Sequence, residues 1–308
     1  MKCLPIRAIV LAMICAALSA SNARAAIYVF GDSLSDTGNF SIATQGQFPP
    51  TPLYSTGRFT NGPVWVEYLA QALHEPAPSP SLSGGTNNAF NGSRAAGVSP
   101  YGTPSVMFQV STFLAAHDNR VDANDYFVIW AGANDIFFGP VFGETNFIGE
   151  AVVGIVSSID ALRAAGARKI IVLNLPPLGQ TPYVQANPGT APLLDAATFG
   201  FNQALAAALS DLEKNRRQLS IAQVDIWGLF EDMIRNPQKY RLNNTQIAST
   251  LFDANSGVSL GYALNPDVDP NRSLFWDGVH PTTRAHEVIG TLAHRLVRSK
   301  LSNAAPRF

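Results

Sequence analysis

Four short apolar runs, separated by stretches of helical periodicity, constrain this chain more than any other feature. Residues 26–30 (AIYVF), 126–130 (YFVIW), 169–175 (KIIVLNL) and 221–226 (IAQVDI) are rich in β-branched and aromatic side chains, and the first three close on Gly31, Ala131-Gly132 and Pro176-Pro177. Apolar residues at consecutive positions must be covered on both faces, which is the situation of a strand inside a parallel sheet. Between the runs, residues 147–165 carry Ile148, Val152, Ile155, Ile159 and Leu162 at steps of three and four, with Gly166 at the expected C-cap. Residues 195–217 (Phe199, Leu205, Leu209, Leu212) and 283–301 (Val288, Ile289, Leu292, Leu296, Val297) repeat that pattern. Strand and helix in alternation predict one α/β domain with right-handed crossovers. Residues 76–106 and 236–273, rich in Pro, Gly, Asn and Ser, read as long excursions from the sheet.

The amino terminus reads differently. Lys2 and Arg7 precede thirteen apolar or small residues, 8–20, and the segment ends in Ala23-Arg24-Ala25. A basic start, a short apolar centre and a small-residue end predict a secretory signal peptide over 1–25, too short for a membrane span. Removing residues 1–25 from the 308 leaves 283, takes away both cysteines (Cys3 and Cys15), and lowers Lys+Arg from 21 to 18 against 22 Asp+Glu. The expected exported chain, periplasmic or extracellular, has a formal charge of −4 in place of −1. Thiol, iron–sulfur and Cys-ligated zinc chemistry are excluded for such a chain, and no basic excess points to nucleic acid.

Ligands in open α/β sheets bind beyond the carboxyl ends of the strands. The first run leads into Gly31-Asp32-Ser33-Leu34-Ser35-Asp36. A serine at a strand-to-helix turn presents its hydroxyl at the sheet edge, where the N–H groups opening the next helix face the same point. The same serine equally suits a capping turn, and the segment lacks the second glycine of G-x-S-x-G. Of the five histidines, His286 and His294 fall in a helical pattern as surface or packing residues, and His74 and His117 sit in polar, helix-end surroundings. His280 is distinct: in Asp277-Gly278-Val279-His280-Pro281 a turn brings a carboxylate back onto Nδ1, leaving Nε2 for Ser33. Asn134, in Ala131-Gly132-Ala133-Asn134-Asp135, supplies a carboxamide just past the second run, although asparagine is common in turns. Ile136, Phe137, Phe138, Val141, Phe142 and Phe147 follow it, either packing a helix or lining an acyl pocket. Asp267 and Asp269 read as a solvated turn rather than a metal site.

Together these segments resemble the GDSL-type members of the SGNH hydrolase superfamily: FGDSLSDTGN over 30–39, AGAND over 131–135 and DGVHP over 277–281 match its first, third and fifth blocks. TNGPVW (60–65), NLPPLG (174–179) and NPQKY (236–240) extend the likeness over residues 26–300. The resemblance implies a three-layer αβα flavodoxin-like fold with a mostly parallel central sheet, over a single domain, 26–308. It implies a serine ester hydrolase with Ser33 as nucleophile, His280 as general base and acid, and Asp277 as its orienting carboxylate. The oxyanion hole would comprise the Ser33 N–H, the Asn134 amide and the N–H of Gly92. In that second block the family reads N-F/Y-A-x-G-G-A, whereas residues 87–93 read NNAFNGS, with Asn91 at the first glycine. No cofactor or metal is implied. The expected substrate is an acyl or lipid ester, with transient contact to a lipid surface. Sugar O-acetyl esters and acyl transfer are the alternatives on the same triad, and a catalytically silent binding protein is the remaining class.

Overall fold

The computed structural model describes residues 24–216, 218–252 and 263–301. The expected signal peptide lies outside them apart from Arg24 and Ala25, as do residues 253–262 of the second excursion. Four parallel strands form the sheet: β1 (Ile27–Gly31), β2 (Tyr126–Trp130), β3 (Lys169–Leu173) and β4 (Ser220–Val224), in that spatial order. Val29 is opposite Val128, and Ile171 is opposite Ala222. The helices are α1 (Asn39–Ala43), α2 (Trp65–Leu73), α3 (Val106–Ala116), α4 (Ala133–Phe138), α5 (Phe147–Ala165), α6 (Pro182–Gln185), α7 (Ala191–Asn215), α8 (Ile226–Arg235) and α9 (Thr283–Lys300). α9 packs on α2, while α5 packs on both α3 and α7, and helices cover both faces of the sheet. That double cover is why Val29, Phe30, Val128, Ile129, Ile171 and Val172 are all buried. Each such side chain contributes about 1.5–3 kcal/mol of hydrophobic stabilisation.

The first excursion holds a rudimentary fifth strand. The Val29 N–H donates to the Thr86 carbonyl (3.1 Å), and the Asn88 and Phe90 N–H groups donate to the Val29 and Gly31 carbonyls (2.7 and 3.1 Å). Residues 86–90 therefore run parallel to β1 on the side away from β2. The chain leaves β1 toward one edge, returns, and crosses to the other side. Such a reversal opens a crevice at the carboxyl ends of β1 and β2.

Several boundaries differ from the sequence expectation for local reasons. β4 stops at Val224 because the Asp225 side chain accepts the Gly228 N–H and caps α8, so Ile226 is the first helical residue. β3 stops at Leu173, since the Asn174 side chain accepts the Ile226 and Trp227 N–H groups (2.6 and 3.1 Å). α7 begins at Ala191, ahead of the expected 195, and Phe199 is exposed there while Phe201 takes the core position. α2, α3 and α8 were not anticipated, and α3 starts where the first excursion ends, capped by Ser105.

Candidate active site

Gly31 ends β1 at a place where backbones crowd. A Cβ there would lie 2.4 Å from the Trp130 carbonyl oxygen, so only glycine keeps β1 and β2 in contact at their carboxyl ends. The next turn is tied by Asp32, whose carbonyl accepts the Ser35 and Asp36 N–H groups (both 3.0 Å) and whose Oδ1 accepts the Leu34 N–H (3.0 Å). Ser33 is held at the tip of this turn. The next helix does not face it: α1 begins only at Asn39, and the Gly38, Asn39 and Phe40 N–H groups donate to the Asp36 carboxylate. The expected helix N-terminus at the serine is thus replaced by single backbone amides.

His280 Nε2 lies 2.8 Å from Ser33 Oγ, and Nδ1 lies 2.8 and 3.0 Å from Asp277 Oδ2 and Oδ1. Asp277 is wholly buried; its Oδ1 accepts the Val279 and His280 N–H groups (2.9 and 2.8 Å), and its Oδ2 accepts the Tyr54 hydroxyl (2.6 Å). A carboxylate can only accept, so Nδ1 carries the imidazole proton and Nε2 is left to receive one from Ser33. Tyr54, itself buried, had no sequence signal, because its partner lies 223 residues away. The Phe59 ring, centred 5.3 Å from the imidazole, walls the other side.

The other histidines lie elsewhere. His286 is a packing residue: Nδ1 accepts the Trp65 N–H (3.2 Å), and burial pushes its pKa down to about 3, keeping it neutral. His74 and His117 are the C-caps of α2 and α3. Asp267 and Asp269 are exposed, the latter accepting the Asn271 N–H. Among the described residues no group of three or more His, Cys, Asp or Glu could hold a metal ion.

Ser33, Gly92 and Asn134 line the same crevice. Asn134, on the first turn of α4, donates through Nδ2 to the Ser93 carbonyl (2.9 Å), with Asp32 Oδ2 at 3.5 Å. The Ser33 and Gly92 N–H groups have no acceptor among the described residues. Gly92 has φ +69°, and a Cβ on it would lie 2.2 Å from the Tyr101 ring. The demand for glycine thus comes from backbone conformation and from Tyr101.

These groups line one cleft of about 370 Å³. The aromatic stretch after Asn134 divides: Ile136 is in the core, Phe137, Phe138 and Val141 form a cleft wall, and Phe142 is exposed. Pro177, Leu178, Tyr183, Phe230 and Phe275 form the facing wall.

Asp32 lines the same cleft. Burial pushes its pKa up to about 7, and the Leu34 N–H and His280 only partly offset this, with Asp135 adding to the rise. The folded protein then holds a proton that the unfolded chain releases near pH 4. The resulting stabilisation is full below that pH and is lost as pH rises through 7. Asparagine keeps the acceptor for Leu34 and removes the charge. The melting-temperature advantage of Asp32→Asn over the parent is expected to grow between pH 5 and pH 8, reaching on the order of 5 °C. A constant difference across that range would refute the assignment.

The family model described as GDSL-like lipase/acylhydrolase matches residues 27–293. The chain is 27% identical over 315 residues to a phosphatidylcholine-sterol acyltransferase of Aeromonas hydrophila, covering 89% of this chain and 90% of that one. It is 27% identical to a thermolabile hemolysin of Vibrio parahaemolyticus (92% and 65% covered) and 27% identical to lipase 1 of Photorhabdus luminescens (91% and 51%), so it spans about half the length of the latter. Among solved structures, the aryl esterase of M. smegmatis aligns with a TM-score of 0.47 at 18% identity, over 89% of this chain and 99% of that one.

Proposed function

This chain belongs to the GDSL-like lipase/acylhydrolase family of carboxylic ester hydrolases, and we propose that it cleaves acyl esters through an acyl-enzyme on Ser33. The observation that carries the proposal is the 2.8 Å contact between Ser33 Oγ and His280 Nε2, with Asp277 held behind Nδ1. Oγ attacks the ester carbonyl carbon as its proton passes to Nε2. The charge gathering on the carbonyl oxygen is met by the Ser33 and Gly92 N–H groups and by the Asn134 amide, which gives up its long 3.5 Å contact with Asp32 Oδ2 to reach it. Nε2 then returns the proton to the departing alcohol. Water, deprotonated by the same nitrogen, releases the acid and restores Ser33. Asp277 stays ionised throughout and fixes the imidazole tautomer.

The apolar walls formed by Phe137, Phe138 and Val141 support an acyl chain longer than acetyl. A buried methylene is worth about 0.8 kcal/mol, so kcat/KM on p-nitrophenyl esters is expected to rise at least ~10-fold from acetate to octanoate. Highest activity on acetate, together with deacetylation of acetylated xylan, would replace this with the sugar-ester alternative. Transfer to an alcohol acceptor is a second reading, favoured by the near full-length similarity to the Aeromonas acyltransferase; ester products formed in the presence of an added alcohol would reveal it. Val141 and Phe142, exposed beside the cleft, support transient contact with a lipid surface. Export rests on the leader expected over residues 1–25 and predicts a processed amino terminus at Ala26.

A further inference from the structure

We propose that Arg94 is a positioning residue that, through Asp135 and Glu144, sets the spacing between the Gly92 and Asn134 donors. The proposal rests on the oxyanion assignment above and concerns what holds those donors in place. They come from two separate chain segments: Gly92 from the loop after the rudimentary strand, and Asn134 from the start of α4. Neither segment is a long regular element that could fix the other by sheet or helix pairing. What joins them is a knot of polar contacts.

The Arg94 side chain is only 2% exposed. Its Nη1 donates to Glu144 Oε1 (2.8 Å), its Nη2 pairs with Glu144 Oε2, and its Nε lies 3.4 Å from Asp135 Oδ1. Asp135, wholly buried, accepts the Ala95 N–H through Oδ2 (2.8 Å) and approaches the Ala96 N–H through Oδ1 (3.5 Å). One residue earlier, the Asn134 amide holds the Ser93 carbonyl. Residues 93–96 are therefore clasped by 134, 135 and 144, and the guanidinium is the only cation in the clasp. A buried guanidinium is strongly unfavourable unless paired. Here it has two carboxylates, one from the helix that carries Asn134 and one from the loop that follows it. Loosening this clasp lets Gly92 and Asn134 move relative to each other while leaving Ser33, His280 and Asp277 untouched. Displacements of about 1 Å at a reacting centre lower rates by up to about a hundredfold.

Glu144 is the natural point of attack because its side chain is 28% exposed, so its loss does not leave a cavity in the core. Glu144→Ala is expected to lower kcat on p-nitrophenyl butyrate about tenfold with KM within about twofold, and Glu144→Gln, which keeps an acceptor for Nη1, is expected to recover most of the loss. Arg94→Lys, which cannot reach both carboxylates, is expected to behave like Glu144→Ala. The decisive measurement is the cycle with Asn134→Ala. In that background Glu144→Ala is expected to lower kcat by less than about twofold, because the donor it helps position is gone. An equal tenfold loss in both backgrounds, or a loss confined to KM or to melting temperature, overturns the proposal and leaves the oxyanion assignment standing. An Asn134→Ala variant with parental kcat overturns both.

Discussion

Replacing Ser33 by alanine is expected to lower kcat on any p-nitrophenyl ester by about 10⁶-fold, with the melting temperature changed by no more than about 2 °C. The large effect follows from removing the atom that forms the acyl-enzyme. His280 then has no proton to take, and the oxyanion donors and cleft retain only their own contribution. The small structural effect follows from how the turn is built: its hydrogen bonds come from the Asp32 carbonyl and carboxylate, and among the described residues the Ser33 hydroxyl bonds only to His280. Steady-state assays and a thermal melt on the same preparation check both halves. A variant with parental turnover would falsify the assignment of Ser33 as nucleophile.

Asp277→Asn is expected to lower kcat by about 10⁴-fold with little change in KM. Four donors meet Asp277: two backbone N–H groups, the Tyr54 hydroxyl and His280 Nδ1–H, the last reaching both oxygens. Asparagine has one oxygen where the carboxylate has two. If that oxygen keeps the backbone amides of Val279 and His280, its NH₂ faces Nδ1, which must then become the acceptor. The proton moves to Nε2, and Nε2 can no longer receive one from Ser33. The isosteric swap thus damages chemistry through tautomer choice rather than through shape. A loss smaller than about tenfold in stopped-flow or steady-state kinetics would mean that Asp277 does not orient the imidazole.

The parts of the fold legible in the sequence were strands buried on both faces and helices with one apolar stripe. β2 has the bounds of its apolar run and α5 those of its apolar periodicity. The rudimentary strand at 86–90 was not legible, because its order comes from hydrogen bonds to β1 and its residues, Thr86 to Phe90, carry no apolar alternation. α8 was hidden for another reason: Ile226 continues the apolar run of β4 while belonging to the next element, and only the Asp225 cap separates the two. At the site, Asp277 and His280 stand in one five-residue turn that can be read as a unit, and the structure brings that turn against Ser33. Tyr54, Glu144 and Arg94 act across long sequence separations, where no local spacing records the partner. The expectation of a helix dipole at Ser33 failed because the carboxylate of Asp36, three residues on, takes the amides of α1 for itself.

Ser33 and His280 are 247 residues apart, and His280 reaches Ser33 from a turn that leads directly into α9. α9 packs on α2, and the Thr60 hydroxyl and the Asn61 side chain bond to Pro281 and Thr283 at its start. Contacts of such long sequence separation slow folding, because the intervening chain must be closed before they reward it. The contact between Ser33 and His280 therefore depends on α9 being docked on α2. The proposed hydrolysis thus needs a contact that neither segment supplies by itself, and only the closed fold brings the two together.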